Sequence, residues 1–211
     1  MRRLSHETEL AEAVAALAQR EPRFAAVVAA HGLPSLRLVQ PGLASLLRIV
    51  TEQLISLKAG DAIWRRLEAH LQIIEPEAIR HCGESGLRHL GLTRAKARTF
   101  LALAEAQGEG LFDVLDDLED TEATARLMRI SGIGPWTAGI YLLTALGRAN
   151  AWPAGDLALQ TAAMTLFSLE QRPTPRQMDI LAEGWQPWRS AAARILWSHY
   201  RGLKGLPQHG T

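Results

Sequence analysis

Cysteine is nearly absent. Cys82 stands alone in 211 residues, so no internal disulfide can form, and a thiolate-held iron–sulfur cluster, which needs several cysteines, is excluded. A lone cysteine fits a reducing compartment. Long apolar runs are missing as well: the longest, Ala138 to Leu146, is about half of the ~20 residues that a membrane-spanning helix requires. Charge of one sign is not in excess. With 23 basic and 22 acidic residues the net charge is +1, so any basic face for a polyanionic partner must be local. Arg2 and Arg3 are followed by Glu7, Glu9 and Glu12, which suits neither a signal nor a transit peptide, and the chain is expected in the cytoplasm. The seven histidines show no metal-ligand spacing with acids or with Cys82. Gly83-Glu84-Ser85-Gly86 lacks the spacing of a nucleophile elbow, and no phosphate-binding P-loop is present.

Period-two alternation and β-branched runs are also scarce. Alanine and leucine dominate, and apolar residues recur at helical spacing: Leu10, Val14, Leu17; Leu43, Leu46, Leu47, Val50, Leu54; Leu101, Ala104; Trp188, Ala192, Ile195, Leu196. Glycine and proline punctuate these runs at His31-Gly32-Leu33-Pro34, Gln40-Pro41-Gly42, Ala59-Gly60-Asp61, Glu75-Pro76 and Gln107-Gly108-Glu109-Gly110. An all-α chain of about ten helices is expected, with 47% hydrophobic content sufficient for one domain or two small lobes. Gly202 to Thr211 is rich in glycine and proline and reads as a frayed tail. Thr93 is placed to cap a helix whose first turns carry Arg94, Lys96 and Arg98. Cations there oppose the helix dipole, which is consistent either with a solvated face or with nearby phosphates.

The most informative segment is Leu127-Met128-Arg129-Ile130-Ser131-Gly132-Ile133-Gly134-Pro135-Trp136-Thr137-Ala138. Two glycines around one apolar residue permit a tight reversal, and Pro135 suits the first turn of the helix that follows. Bare glycine backbone and the N–H groups of a helix start can accept a phosphate. Carbonyls on the near side, those of Met128, Ile130 and Ile133, can share a monovalent cation such as Na+ or K+ with that phosphate; no other cofactor is expected. Ile133 would plug inward. For a lone Gly-x-Gly an ordinary helix–turn–helix corner is the better reading, and it is the added Pro and Thr-Ala that sharpen the pattern.

Asp156 lies 20 positions beyond Trp136, after the breaker-rich Trp152-Pro153-Ala154-Gly155 and before an apolar run from Leu157. It is well placed to cap a helix. A capping carboxylate held at a helix start can also serve chemistry, and both roles remain open from the residues alone.

The run from Ile130 to Asp156 resembles the helix–hairpin–helix, Gly/Pro-rich loop and Asp signature of DNA glycosylases, most similar within that superfamily to 3-methyladenine DNA glycosylase II. Glu52-Gln53-Leu54-Ile55-Ser56 resembles the family's Gln-rich helix start, and Gly91-Leu92-Thr93-Arg94-Ala95-Lys96-Ala97 its second basic motif. Trp185-Gln186-Pro187-Trp188-Arg189-Ser190 with Trp197 resembles its C-terminal tryptophan-rich helix. The similarity covers about Leu43 to Tyr200. It implies an all-α, two-lobed fold with a central cleft and no N-terminal β domain, with a core lobe of about residues 41–147, a second lobe of about 1–40 plus 148–202, and the tail at 203–211. It implies a monomer acting on double-stranded DNA that contains alkylated bases, with no membrane partner.

By that resemblance Asp156 is the catalytic residue. Trp136, Trp197, Ile140 and Leu157 line the base pocket. Gly132, Ile133, Gly134, Thr137, Leu54, Gln53, Ser56, Arg94 and Lys96 bind DNA. Leu54 would be the wedge that fills the gap left by an extruded base; a core leucine on the Leu43–Val50 stripe is the other reading of the same position. Trp136 stands where strand-cutting relatives carry a lysine nucleophile, so Schiff-base chemistry is unavailable there and simple hydrolysis is implied. Trp136 and Trp197 can stack on a cationic alkylated purine, whereas Trp185 and Trp188 are expected in the core. Ile140 and Leu157 replace tyrosines of the best-known relatives, and Glu52 is a further local departure. The implied function is excision of bases of the 3-methyladenine and 7-methylguanine type in base excision repair. A non-catalytic helix–hairpin–helix DNA-binding or scaffold protein, or a glycosylase for other lesions, are the alternatives.

Overall fold

The computed structural model describes residues 2–207. In chain order the helices are α1 (Glu7–Arg20), α2 (Pro22–His31), α3 (Leu43–Glu52), α4 (Leu57–Leu71), α5 (Pro76–His89) and α6 (Arg94–Gly108). They continue with α7 (Leu111–Leu115), α8 (Asp120–Met128), α9 (Pro135–Thr144), α10 (Leu157–Leu166), α11 (Pro175–Ala182) and α12 (Arg189–Leu203), and a 3-10 turn lies at Glu183–Trp185. The fold is all-α, as expected. Among the described residues, extended pairing is limited to an isolated antiparallel bridge between Arg3 and Arg148. No helix of the described residues is long and apolar enough to cross a membrane.

The chain divides into two compact units, Val39–Tyr141 and Met1–Leu38 with Leu142–Thr211. The second junction lies within α9, before the residue-147 position read from the sequence.

In the Val39–Tyr141 unit, α3 packs on α4 and α6, and α5 on α4 and α6. The amphipathic spacing of α3 turns Leu43, Leu46, Leu47 and Val50 inward, and Leu67 of α4 and Phe100 and Leu103 of α6 are buried as well. Tyr141 is buried at the edge of this core, and its hydroxyl accepts the Gly42 N–H at 2.9 Å, which satisfies the entry to α3. Burial pushes the Tyr141 phenol up to about 12.

In the other unit, α12 packs on α1, α2 and α10. Its buried face carries Ala191, Ala192, Ala193, Ile195 and Leu196, and α10 answers with Ala162 and Ala163, small residues that permit close approach. Beside them sits an aromatic cluster. Trp185 stacks on Phe167 at 5.8 Å and meets Phe24 and Trp152 at tilted or edge-on angles. Trp185 is therefore the core residue the sequence suggests. Trp188 is only half-buried, and the Arg2 guanidinium lies 4.6 Å over its ring.

The tail differs from expectation. α12 persists to Leu203, and Gly205, at φ +61, lets Leu206 N–H return to the Arg201 carbonyl at 2.9 Å, closing the helix. Gly205, just past the Lys204 cap, thus ends the helix in an ordered turn. The rest of the expected frayed segment, 208–211, lies outside the described residues.

Candidate functional site

The hairpin between α8 and α9 is closed by the Ile133 N–H donating to the Ile130 carbonyl at 3.0 Å. The Gly134 carbonyl accepts from Ala138 at 3.0 Å, so α9 starts as soon as the second glycine is passed. Ile133 is buried, whereas Gly132 and Pro135 are exposed. Gly132 has φ +90, and a Cβ there would overlap the Thr99 hydroxyl of α6. Gly134 differs: a Cβ on it would meet no protein atom within 4 Å. One glycine is required by the fold, and the other leaves an open approach to the backbone. Trp136 and Ile140 are half-buried on α9. Thr137 departs from expectation, because its side chain is buried and its Oγ1 accepts the Gln53 Nε2 at 2.8 Å. That hydroxyl positions protein rather than facing DNA.

Gln53 ends α3, and its Nε2 also donates to the Gly132 carbonyl at 3.2 Å. Leu54 follows at φ +56 and is 97% exposed. A leucine in the left-handed region costs on the order of 1–3 kcal/mol, and one fully in water regains nothing by packing. The core-leucine reading of this position is therefore excluded. Ile55 and Leu57 are exposed beside it, and the Ser56 hydroxyl caps α4 by accepting the Ala59 N–H at 3.2 Å.

On α6 the basic residues part company. Arg94 and Arg98 are exposed and pair with Glu84, Nε to carboxylate oxygen, at 3.3 and 3.0 Å. Exposed pairs of this kind are worth no more than about 1 kcal/mol, so the guanidinium groups can exchange Glu84 for a phosphate. Lys96, expected to contact DNA, is instead turned inward. It is 9% exposed, and its ammonium donates to the carbonyls of Thr51 and Gln53, each at 2.8 Å. Burial holds its pKa below the ordinary lysine value. The inward turn follows from periodicity: Lys96 shares a helix face with Phe100 and Leu103, both buried.

Asp156 lies in the other unit and is neither buried nor fully exposed. It caps α10, with its Oδ1 accepting the Leu159 N–H at 2.9 Å and the Trp197 indole N–H at 3.3 Å. The loop before it is braced. Gln160 Nε2 donates to the Ala154 carbonyl at 3.0 Å, Asp156 N–H to the Pro153 carbonyl at 2.9 Å, and Ser190 Oγ to the Ala151 carbonyl at 2.9 Å. The carboxylate is thus held in one orientation by groups that do not themselves titrate near neutrality. Leu157, the next residue, is 53% exposed. Trp197, assigned to stacking by resemblance, also orients Asp156. The bracing groups Gln160 and Ser190 were not singled out from sequence. Their polar side chains on otherwise apolar helix faces were the available signal.

An all-helical chain with a glycine-cornered hairpin and an oriented capping carboxylate is a protein of the helix–hairpin–helix class. The model of the HhH-GPD superfamily base excision DNA repair proteins matches residues 47–187, and the chain belongs to that family. It is 32% identical to DNA-3-methyladenine glycosylase 1 of Schizosaccharomyces pombe over 72% of this chain, and 32% identical to YfjP of Bacillus subtilis over 58%. It spans 69% of the length of the first and 44% of the second. Its fold matches that of S. pombe 3-methyladenine DNA glycosylase in complex with abasic DNA, with a TM-score of 0.82, 27% identity and coverage of 95% of this chain and 100% of that one.

Proposed function

We propose that this protein is a monofunctional DNA glycosylase that extrudes alkylated purines, of the 3-methyladenine and 7-methylguanine type, and removes them by hydrolysis in base excision repair. Membership of a base excision repair family and relatives named 3-methyladenine glycosylases support the reading. The observation that carries it is Asp156: a carboxylate fixed by a helix N–H and an indole N–H, yet left half-exposed.

In this reaction the bond between C1′ and the base nitrogen breaks, and its electron pair leaves with the base. Positive charge grows on the sugar, the Asp156 carboxylate stabilises it, and a water adds to C1′ while giving its proton to Asp156. N3- or N7-alkylated purines are already cationic and leave without strong acid assistance, which suits a site with one carboxylate. Opening the stack costs a few kcal/mol and is cheapest at damaged pairs. Leu54 fills the gap, the Gly132–Thr137 backbone and Arg94 hold phosphates, and Leu157 and Trp197, in the unit that carries Asp156, contact the extruded base. Trp136 cannot form a Schiff base, so the product is an intact abasic strand.

The carbonyls of Met128, Ile130 and Ile133 are neutral, hard oxygen donors on the hairpin. They suit a monovalent cation, whose charge would offset that of a bound phosphate. No group of three or more His, Cys, Asp or Glu side chains able to hold a metal occurs among the described residues. A monomer working in the cytoplasm completes the reading.

Asp156→Asn tests it. Release of 7-methylguanine from a defined duplex should fall at least about a hundredfold while duplex binding persists. Excision within a few-fold of wild type would leave only a DNA-binding protein. Strand breaks should appear after alkali and not before; scission without alkali contradicts the hydrolytic reaction.

A further inference from the structure

The proposed function leaves one buried charge unused. Lys96 sits in the first turn of α6, where a cation gains nothing from its own helix dipole. A buried ammonium persists when its N–H groups are satisfied, and here two of them go to Thr51 and Gln53. Those carbonyls belong to the last turn of α3, the negative end of that helix. Leu54 is the very next residue, at φ +56 and 97% exposed. The amide of Gln53 reaches in the other direction, to the Gly132 carbonyl and Thr137 Oγ1. Gly132 in turn lies against Thr99, one turn along α6 from Lys96. Gln53, Lys96, Thr99 and Gly132 thus form a closed circuit, all within the Val39–Tyr141 unit.

We propose that Lys96 is a positioning residue: its buried ammonium, with the Gln53 amide, latches the Leu54 turn to the hairpin, so that the wedge and the phosphate grip act as one rigid piece. This rests on Leu54 being the wedge of the proposed glycosylase. An apolar side chain of the same length would fill the Lys96 site without burying a charge. What the charge adds is a fixed α3 terminus, and with it a leucine held in a strained, unpacked conformation. A wedge that must enter the base stack at the moment the hairpin grips the backbone requires that fixity. Without the latch, the turn relaxes to φ < 0 and Leu54 no longer points out on the same line.

The test uses the full chain and 7-methylguanine in two oligonucleotide duplexes. In one the lesion is paired; in the other it lies in a short mismatched bubble that is already unstacked. Single-turnover excision is measured for Lys96→Met, Leu54→Ala and the double variant. Lys96→Met should slow excision from the paired duplex about tenfold or more and leave the bubble substrate within about twofold. The double variant should be no slower than Leu54→Ala, because Lys96 acts through Leu54. Equal loss on both substrates, or additive loss in the double variant, would mean a general structural role and overturn the proposal. If Leu54→Ala spares the paired substrate, the wedge assignment fails by itself. If Leu54→Ala behaves as a wedge and Lys96→Met does not follow it, only the latch fails. Should Lys96→Met not fold, Gln53→Leu, which cuts the hairpin side of the latch alone, is held to the same criteria.

Discussion

The two hairpin glycines answer to different demands. Gly132 needs φ +90 and the space that Thr99 leaves, so Gly132→Ala should cost more than about 1 kcal/mol of stability in urea unfolding. Gly134 has neither constraint. Gly134→Ala should leave stability within about 0.5 kcal/mol of wild type, yet weaken duplex binding by placing a methyl group where a phosphate approaches. Equal binding by wild type and Gly134→Ala would show that this backbone is not the grip. Sequence spacing alone indicates that the glycines matter, but not which of them serves folding, because the difference lies in a contact with a residue 33 positions earlier, Thr99. Likewise Asp156 is legible as a cap from the breaker-rich loop before it, since capping is a local event. Its second partner, Trp197, comes from 41 positions away and could be named only through resemblance.

Elements differ in how far they can be read. Helix starts at Pro76, Arg94, Leu157 and Pro175 follow from proline and Ser/Thr/Asp signals, which act within a turn. Lys96, assigned to DNA by resemblance, lies instead on the buried stripe of α6 with Phe100 and Leu103, because helical periodicity sets its direction. The junction of α3 with α9 carries its own prediction. With the Tyr141 phenol raised by burial from 10.0 to about 12, the folded state holds that proton more tightly than the unfolded chain does. Its contribution is therefore complete below pH 10 and is lost as pH climbs to about 12, roughly 2–3 kcal/mol in all. Denaturant midpoints measured across that window should decline, and Tyr141→Phe should flatten the decline. The same change strands the Gly42 N–H and should lower stability at neutral pH by about 1–3 kcal/mol.

For the molecule as a whole, near-neutral charge limits how DNA can be held. With 23 basic residues against 22 acidic, any face that displaces counterions from a duplex must be a local one. The logarithm of the binding constant should therefore fall with log salt at a shallow slope, about −0.9 for each of a handful of phosphates, and Arg94→Ala should reduce it by about one. A slope near −10 would instead indicate an extended basic surface and contradict a local grip. What the sequence by itself determined is the helical class, the glycine corner and the cap at Asp156. Each of these depends on periodicity or on dihedral preferences within a few residues. What only the tertiary structure decided is the direction of particular side chains: Leu54 into solvent, Lys96 onto the end of α3, Gln53 across 84 positions to Thr137. Those outcomes turn on which distant backbone groups are left to be satisfied once the helices have packed, and no local pattern encodes that.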